Sequence, residues 1–236
     1  MIENYINIDA VDKSYGEGSS KQIVLDNVSL TVNQGEQIAV LGHSGSGKST
    51  LLNLISGIDY VDKGKITINN IELTNLSEKE RTLFRRRHIG FVYQSFNLIQ
   101  TLTAQENVQL PLQLNKFRAK EIRQLTADML ERVGLQNRGD AFPDQLSGGE
   151  QQRVAIARAM VHSPALILAD EHTGNLDAET GRAMIDLFAD LASSRNQTVL
   201  MVTHSYAIAS KADRVVSFQD GDLQTVTDTK HSSLAW

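Results

Sequence analysis

Short apolar stretches recur along the chain, and each ends on glycine or a polar residue. Gln37-Ile38-Ala39-Val40-Leu41 runs into Gly42, and Ile89-Gly90-Phe91-Val92-Tyr93 into Gln94. Ala165 to Ala169 ends at Asp170-Glu171, and Val199 to Val202 at Thr203-His204. Apolar runs this short, bounded by turn signals, predict strands buried on both faces of a parallel sheet, and groups at their carboxyl ends face the ligand crevice of an open sheet. The N-terminal part reads differently: Ile6 and Ile8 lead into a turn at Lys13-Ser14-Tyr15-Gly16, and Ile23 to Val32 and Gly64 to Ile68 are β-prone. Helical patterns fill the intervals. Leu51 to Ile55 follows the first run, and Ser77/Glu80, Thr103/Glu106 and Ser147/Glu150 have the spacing of capping boxes. Arg118 to Val133 carries Ile122, Leu125, Met129, Leu130 and Val133 near helical spacing and closes at Gly134. A helix is expected over Ala178 to Ser193, then a strand at Val215 to Phe218, a turn at Gln219 to Asp222 and a polar tail. Since helical signals dominate from Phe96 to Gln145, a helical subdomain is predicted as an insertion between strands of an α/β core.

The candidate chemistry centres on Gly42-His43-Ser44-Gly45-Ser46-Gly47-Lys48-Ser49-Thr50, which fits G-x-x-x-x-G-K-[ST] between a predicted strand and a predicted helix. A backbone that curls around a phosphate must visit torsions open to glycine and bring its N–H groups close enough to donate. Lys48 would reach the β- and γ-phosphates, the Ser49 hydroxyl would hold Mg²⁺, and the helix N-terminus would favour negative charge. Ser147-Gly148-Gly149 opens a second helix with bare N–H groups. Either the chain binds two anions, or two copies each lend this helix to the nucleotide held by the other, or it is an ordinary capped helix. Asp170 and Glu171 end a buried strand and point opposite ways, so Asp170 can be a Mg²⁺ carboxylate while Glu171 takes the proton of an attacking water. Gln94 and His204 end strands in the same manner. Tyr15, upstream of the phosphate loop, could stack on a base.

Composition narrows the classes. The chain has 236 residues, 41% of them hydrophobic and 22% charged, and a formal net charge of −5, which gives no electrostatic case for a nucleic-acid partner. The basic cluster Arg85-Arg86-Arg87-His88 reads as a solvated helix end rather than a contact patch. With no cysteine there is neither a disulfide nor a thiolate metal site. Met1-Ile2-Glu3-Asn4 lacks the pattern of a signal peptide, which argues for a cytoplasmic protein. No apolar run approaches the ~20 residues that span a bilayer, so any membrane role must go through a partner. A guanine-binding Asn-Lys-x-Asp is broken by Asn115-Lys116-Phe117-Arg118.

Phosphate loop, Gln94, Leu146-Ser147-Gly148-Gly149-Glu150-Gln151-Gln152-Arg153, Ile167-Leu168-Ala169-Asp170-Glu171, Gly174-Asn175-Leu176-Asp177 and His204, in that order, resemble the ATP-binding subunit of an ABC transporter. The segments at Gln94 to Ile99, Glu106-Asn107-Val108 and Gly174 to Asp177 resemble the branch serving lipoprotein release, macrolide or antimicrobial-peptide export, haem export and cell division. The resemblance implies one ABC ATPase domain over 1–236. Its α/β core, a P-loop NTPase of mainly parallel sheet with an N-terminal antiparallel β subdomain, would comprise 1–94 and 162–236, and its helical subdomain 95–161. It implies ATP and Mg²⁺ as cofactors, with Tyr15 on adenine, Gly42 to Thr50 on the phosphates, and Gln94 sensing Mg²⁺ and water. Asp170 would bind Mg²⁺, Glu171 would be the general base, and His204 would hold the γ-phosphate. Ser147, Gly148 and Gly149 would reach the γ-phosphate of a second copy, with Asp177 at that interface. The partners implied are that second copy and an integral membrane permease on the cytoplasmic side of the cell membrane, the only route to membrane contact, with export or extraction as the direction. The rivals are a mechanotransmitting module of cell-division type and a soluble ABC ATPase. Two positions depart from the pattern: His172 stands where Pro is common, and His43 where Pro or a small residue is usual.

Overall fold

The computed structural model describes residues 4–16, 21–170, 178–219 and 222–228. They fall into two compact units, 1–85 with 198–236, and 86–197.

The first unit holds an antiparallel sheet of order β2-β1-β4-β5, built from β1 (Ile6–Tyr15), β2 (Gln22–Val32), β4 (Lys63–Ile68) and β5 (Ile71–Glu72). Its register sets Ile6 against Val32 on one side and Ile68 on the other, all three fully buried. Only one face of such a sheet meets the core, so Ile6, Ile8 and Val11 go under while Asp9 and Ala10 stay outside. The same unit holds β3 (Gln37–Leu41), β8 (Thr198–Thr203) and β9 (Arg214–Gln219), with β3 paired in parallel to both β8 and β9. Ile38, Ala39 and Val40 are fully buried, as the uninterrupted apolar run requires. α1 (Lys48–Ile55) follows β3 and packs on β8, and α7 (Tyr206–Ala209) follows β8. The expected polar tail is in part a strand: β10 (Asp222–Asp228) pairs antiparallel to β9 from Asp222↔Gln219 to Asp228↔Arg214. Thr225-Val226-Thr227 is β-branched, and ladder bonds to β9 let a mostly polar segment serve as an edge strand.

α2 (Glu78–His88) leaves the first unit. The second contains β6 (Ile89–Val92) and β7 (Leu166–Asp170), paired in parallel, with α3 (Ala104–Leu114), α4 (Ala119–Arg132), α5 (Gly148–Met160) and α6 (Ala178–Ser193). α5 touches α3, α4, α6 and β6, so it is the hub of the unit. Gly90 makes this possible: a Cβ there would sit 2.1 Å from the Ala159 carbonyl oxygen, so β6 comes this close to α5 only without a side chain. All three capping boxes form. Ser77 N–H donates to Glu80 Oε2 at 2.9 Å, Thr103 N–H to Glu106 Oε2 at 2.8 Å and Ser147 N–H to Glu150 Oε2 at 2.8 Å, with the return bonds present.

Candidate nucleotide-binding site

Apolar β3 delivers the chain to Gly42, whose N–H donates to the Thr203 carbonyl of neighbouring β8 at 3.3 Å. The register Leu41↔Thr203 places His204, an exposed residue, one step beyond that strand end beside the start of the loop. His43, Ser44 and Gly45 are exposed, and His43 Nδ1 lies 2.8 Å from its neighbour's carbonyl oxygen. Gly47 caps α1 at φ +105°, a left-handed torsion; a Cβ there would meet Val24 Cγ1 at 2.9 Å and Phe218 Cε1 at 3.0 Å. The loop is therefore pressed against β2 and β9 at Gly47 and open at Gly45, where nothing lies within 4 Å of a Cβ position.

Inside this cradle Lys48 is buried, its Nζ donating to the carbonyls of Gly42 at 2.8 Å and His43 at 2.7 Å. The Ser46 hydroxyl is buried without a hydrogen-bond partner, an orphaned group within an otherwise closed loop. Ser49 is exposed in the first turn of α1, where N–H groups lack intrahelical acceptors, and Thr50 follows half-buried. A buried ammonium, the backbone donors of a helix start and a buried, unpartnered Ser46 hydroxyl around a concave loop fit a phosphate chain.

Tyr15 ends β1, 44% exposed, with its hydroxyl donating to Asp59 Oδ2 at 2.7 Å and the Thr50 hydroxyl as a further neighbour. Lys13, 7% exposed, donates to Asp59 Oδ1 at 2.8 Å and lies 4.8 Å from the centre of the Tyr15 ring. Desolvation pushes the Asp59 carboxyl up, but its bonds to Lys13, Tyr15 and the Tyr60 N–H outweigh that and hold it below its usual range. The ring's hydroxyl is held while its body stays open to a stacking partner. Asp59 carries no recognisable motif, and nothing in the sequence announces that it anchors Tyr15.

In the second unit, Val92↔Ala169 is the last pair of β6 and β7, so Gln94 and Asp170 leave adjacent strand ends, Gln94 exposed and Asp170 half-buried. Ser147 and Gly148 are exposed at the tip of α5. The Ser147 hydroxyl accepts from Glu150 N–H at 3.3 Å, while Arg138 Nε donates to Glu150 Oε1 at 3.0 Å. The Ser147 N–H is the chief cause holding the Glu150 carboxyl below its ordinary range, which keeps the box charged and closed. Gly149, next in that first turn, is half-buried. Glu171, His172 and Asp177 lie outside the described residues.

Asn107 lies in the Glu106-Asn107-Val108 segment that carries the branch resemblance, which by itself assigns it no role. Asn107 is fully buried; its Nδ2 donates to the carbonyls of Ile99, Leu102 and Thr103, and its Oδ1 accepts from Ile99 N–H at 2.9 Å. It ties down the turn that leads from Gln94 into α3. By local pattern it is an Asn one residue past a capping-box Glu, a position where a solvated polar residue is equally at home, so its burial is not announced there.

The sequence pattern of the ABC transporter family matches residues 25–174, from inside β2 through the phosphate loop and α5 to just past β7. The chain belongs to that family. It is 50% identical over 210 residues to an uncharacterised ABC transporter ATP-binding protein of Mycobacterium tuberculosis, covering 89% of this chain and 85% of that one. It is 44% identical to the lipoprotein-releasing system ATP-binding protein LolD of Colwellia psychrerythraea over 95% of this chain and 87% of that one. To the ABC transporter ATP-binding protein YtrE of Bacillus subtilis it is 45% identical, over 93% and 96%. The dimeric post-hydrolysis structure of the ATP-binding cassette MJ0796 bound to ADP and Pi superposes with a TM-score of 0.85 at 40% identity, covering 94% of this chain and 99% of that one. The two sheets, the helices of the second unit and the phosphate loop are thus those of an ABC ATPase, and the chain is an ATP-binding ATPase of this kind. The expected antiparallel β subdomain is the β2-β1-β4-β5 sheet.

Proposed function

We propose that this chain is the ATPase subunit of a membrane transporter: two copies close around two MgATP, hydrolyse them, and drive an integral membrane permease from the cytoplasmic face. The observation that carries the reading is the cradle at Gly42 to Thr50, with a buried Lys48, an orphaned Ser46 hydroxyl and open space at Gly45. Tyr15 offers its open ring to adenine, and the loop's N–H groups and Lys48 neutralise the phosphates. Bound Mg²⁺ would add charge neutralisation at the phosphate oxygens. Ser49 and Asp170, with Gln94, offer hard oxygen donors that fit it. Among the described residues no group of three or more His, Asp or Glu side chains is placed to hold a metal by itself. Gln94 and Glu171 orient the attacking water, Glu171 accepts its proton, and His204 holds the γ-phosphate. The exposed Ser147-Gly148-Gly149 tip contacts the γ-phosphate bound by the other copy, beside Asp177.

Among the described residues no helix is long and apolar enough to cross a membrane. Similarity to the lipoprotein-releasing system protein LolD favours the branch that extracts or exports its substrates. The test is Glu171→Gln in the full chain. ATP should still bind, hydrolysis should fall at least a hundredfold, and the chain should shift from monomer to dimer on adding MgATP. Unchanged turnover would remove Glu171 from its role, and a strictly monomeric variant in saturating MgATP would overturn the shared site.

A further inference from the structure

Between β6 and α3 the chain makes a turn that no local pattern in the sequence accounts for. Phe96 and Asn97 both adopt left-handed torsions, at φ 60° and 48°, two such residues in succession and neither of them glycine. Left-handed backbone is costly for residues with a Cβ, and a β-carbon aromatic is among the less suited. Asn takes this torsion readily, as at Asn69 and Asn70 between β4 and β5, so the strain lies at Phe96, where it persists only because the surroundings impose it. The turn's own bonds are short-range: Phe96 N–H to the Tyr93 carbonyl at 3.2 Å and Asn97 N–H to the Ser95 carbonyl at 2.6 Å.

The imposing group comes from α5. Arg158 Nη2 donates to the Phe96 carbonyl at 2.8 Å and Nη1 to the Asn97 carbonyl at 2.6 Å, across 62 and 61 residues of sequence. A guanidinium presents its donors in a rigid fork, so it can satisfy two carbonyls only if they are offered side by side. Burial pulls the Arg158 pKa down from its ordinary value, as expected for a charge taken out of water to meet carbonyls. Arg158 lies three turns along the helix that begins with Ser147-Gly148-Gly149, and two residues before the clamped pair stands Gln94.

We propose that Arg158 is a positioning residue for ATP hydrolysis: its two bonds hold Phe96 and Asn97 in the left-handed pair, and that pair fixes where the loop presents Gln94. The inference rests on the reading of Gln94 given above, and its test separates the two. Steady-state ATPase of the full chain is measured for Arg158→Ala, Arg158→Lys, Gln94→Ala and the double variant Arg158→Ala/Gln94→Ala, with melting temperatures alongside. Arg158→Ala should lower kcat at least tenfold while KM for ATP changes less than twofold, because Tyr15 and the phosphate loop are untouched. Arg158→Lys keeps the charge but loses the fork, and should fall with alanine rather than with the parent. It carries the test alone should the alanine variant not fold.

Two readouts exclude a merely structural role. On a Gln94→Ala background the Arg158 substitution should cost less than threefold further, since its effect runs through Gln94. Adding Phe96→Gly to Arg158→Ala should restore kcat at least threefold, because glycine takes the left-handed torsion without help. An unchanged kcat in Arg158→Ala or Arg158→Lys, full additivity with Gln94→Ala, or no rescue by Phe96→Gly overturns the proposal. If Gln94→Ala itself leaves kcat intact, the reading of Gln94 falls instead, whatever Arg158 does.

Discussion

Acid should weaken this protein through His162, which follows α5 and has both ring nitrogens buried, with the Ile89 backbone too poorly placed for more than a weak hydrogen bond. Burial depresses its pKa from 6.5 to about 4; the Ile89 backbone opposes the fall and the nearby charge of His88 adds to it. The folded value lies below the unfolded one, so the unfolded chain takes up the proton first. Stability is therefore whole above the unfolded pKa and is lost as pH falls from about 6.5 towards about 4. At about 1.36 kcal/mol per pH unit of separation, the full loss is about 3 kcal/mol, and partial solvent exposure of the residue trims it to about 2. That is a large share of a typical folding stability of about 5–15 kcal/mol. The assay is urea unfolding followed by far-UV circular dichroism, for the parent and His162→Leu, between pH 7.5 and 4.5. Groups titrating elsewhere act in both proteins, so the difference isolates His162. The variant's stability relative to the parent should rise by about 2 kcal/mol across that range. Parallel stability curves, or a His162 proton resonance titrating near 6.5 in the folded chain, would refute the reasoning.

The cradle and the tyrosine supply two further expectations. Gly47→Ala puts a Cβ 2.9 Å from Val24 Cγ1 at φ +105°, so it should cost about 2–4 kcal/mol of stability and at least tenfold in binding of a fluorescent ATP analogue, read by melting and titration. Tyr15→Phe keeps the ring but frees it from Asp59, so KM for ATP should rise about two- to fivefold with kcat unchanged; an equal KM would deny the Tyr15–Asp59 bond a part in nucleotide binding.

What was legible in the sequence was whatever is decided within a few residues. The capping boxes at Ser77, Thr103 and Ser147 depend on a hydroxyl and a carboxylate three positions apart, and all three form. The phosphate loop depends on glycines within a nine-residue window, and the buried strands on unbroken apolar runs. β10 failed the same test because its pattern is polar: an edge strand is held by ladder bonds to β9, which no window on its own residues can register. The departure at His43 is accommodated because that side chain is exposed and turns to the neighbouring Ser44 carbonyl, while Lys48 and the Ser46 N–H meet the His43 backbone carbonyl.

The residues that fix the site rather than form it were illegible for a different reason. Asp59 meets Tyr15 across 44 positions and Arg158 meets Phe96 across 62, and each partner looks ordinary where it stands. A lone Asp after a helix and a lone Arg near a helix end are by default solvated charges. What distinguishes them is the geometry they impose elsewhere: an aromatic ring held by its hydroxyl so that its body stays open, and two carbonyls turned together by torsions that side-chain-bearing residues avoid. Motifs therefore point to the groups proposed to touch ATP, whereas the torsional strain at Phe96 points to the group proposed to aim one of them. If the second kind of residue governs turnover, substitutions at Arg158 should leave nucleotide affinity intact and act on kcat, a separation that motif matching alone gives no reason to expect.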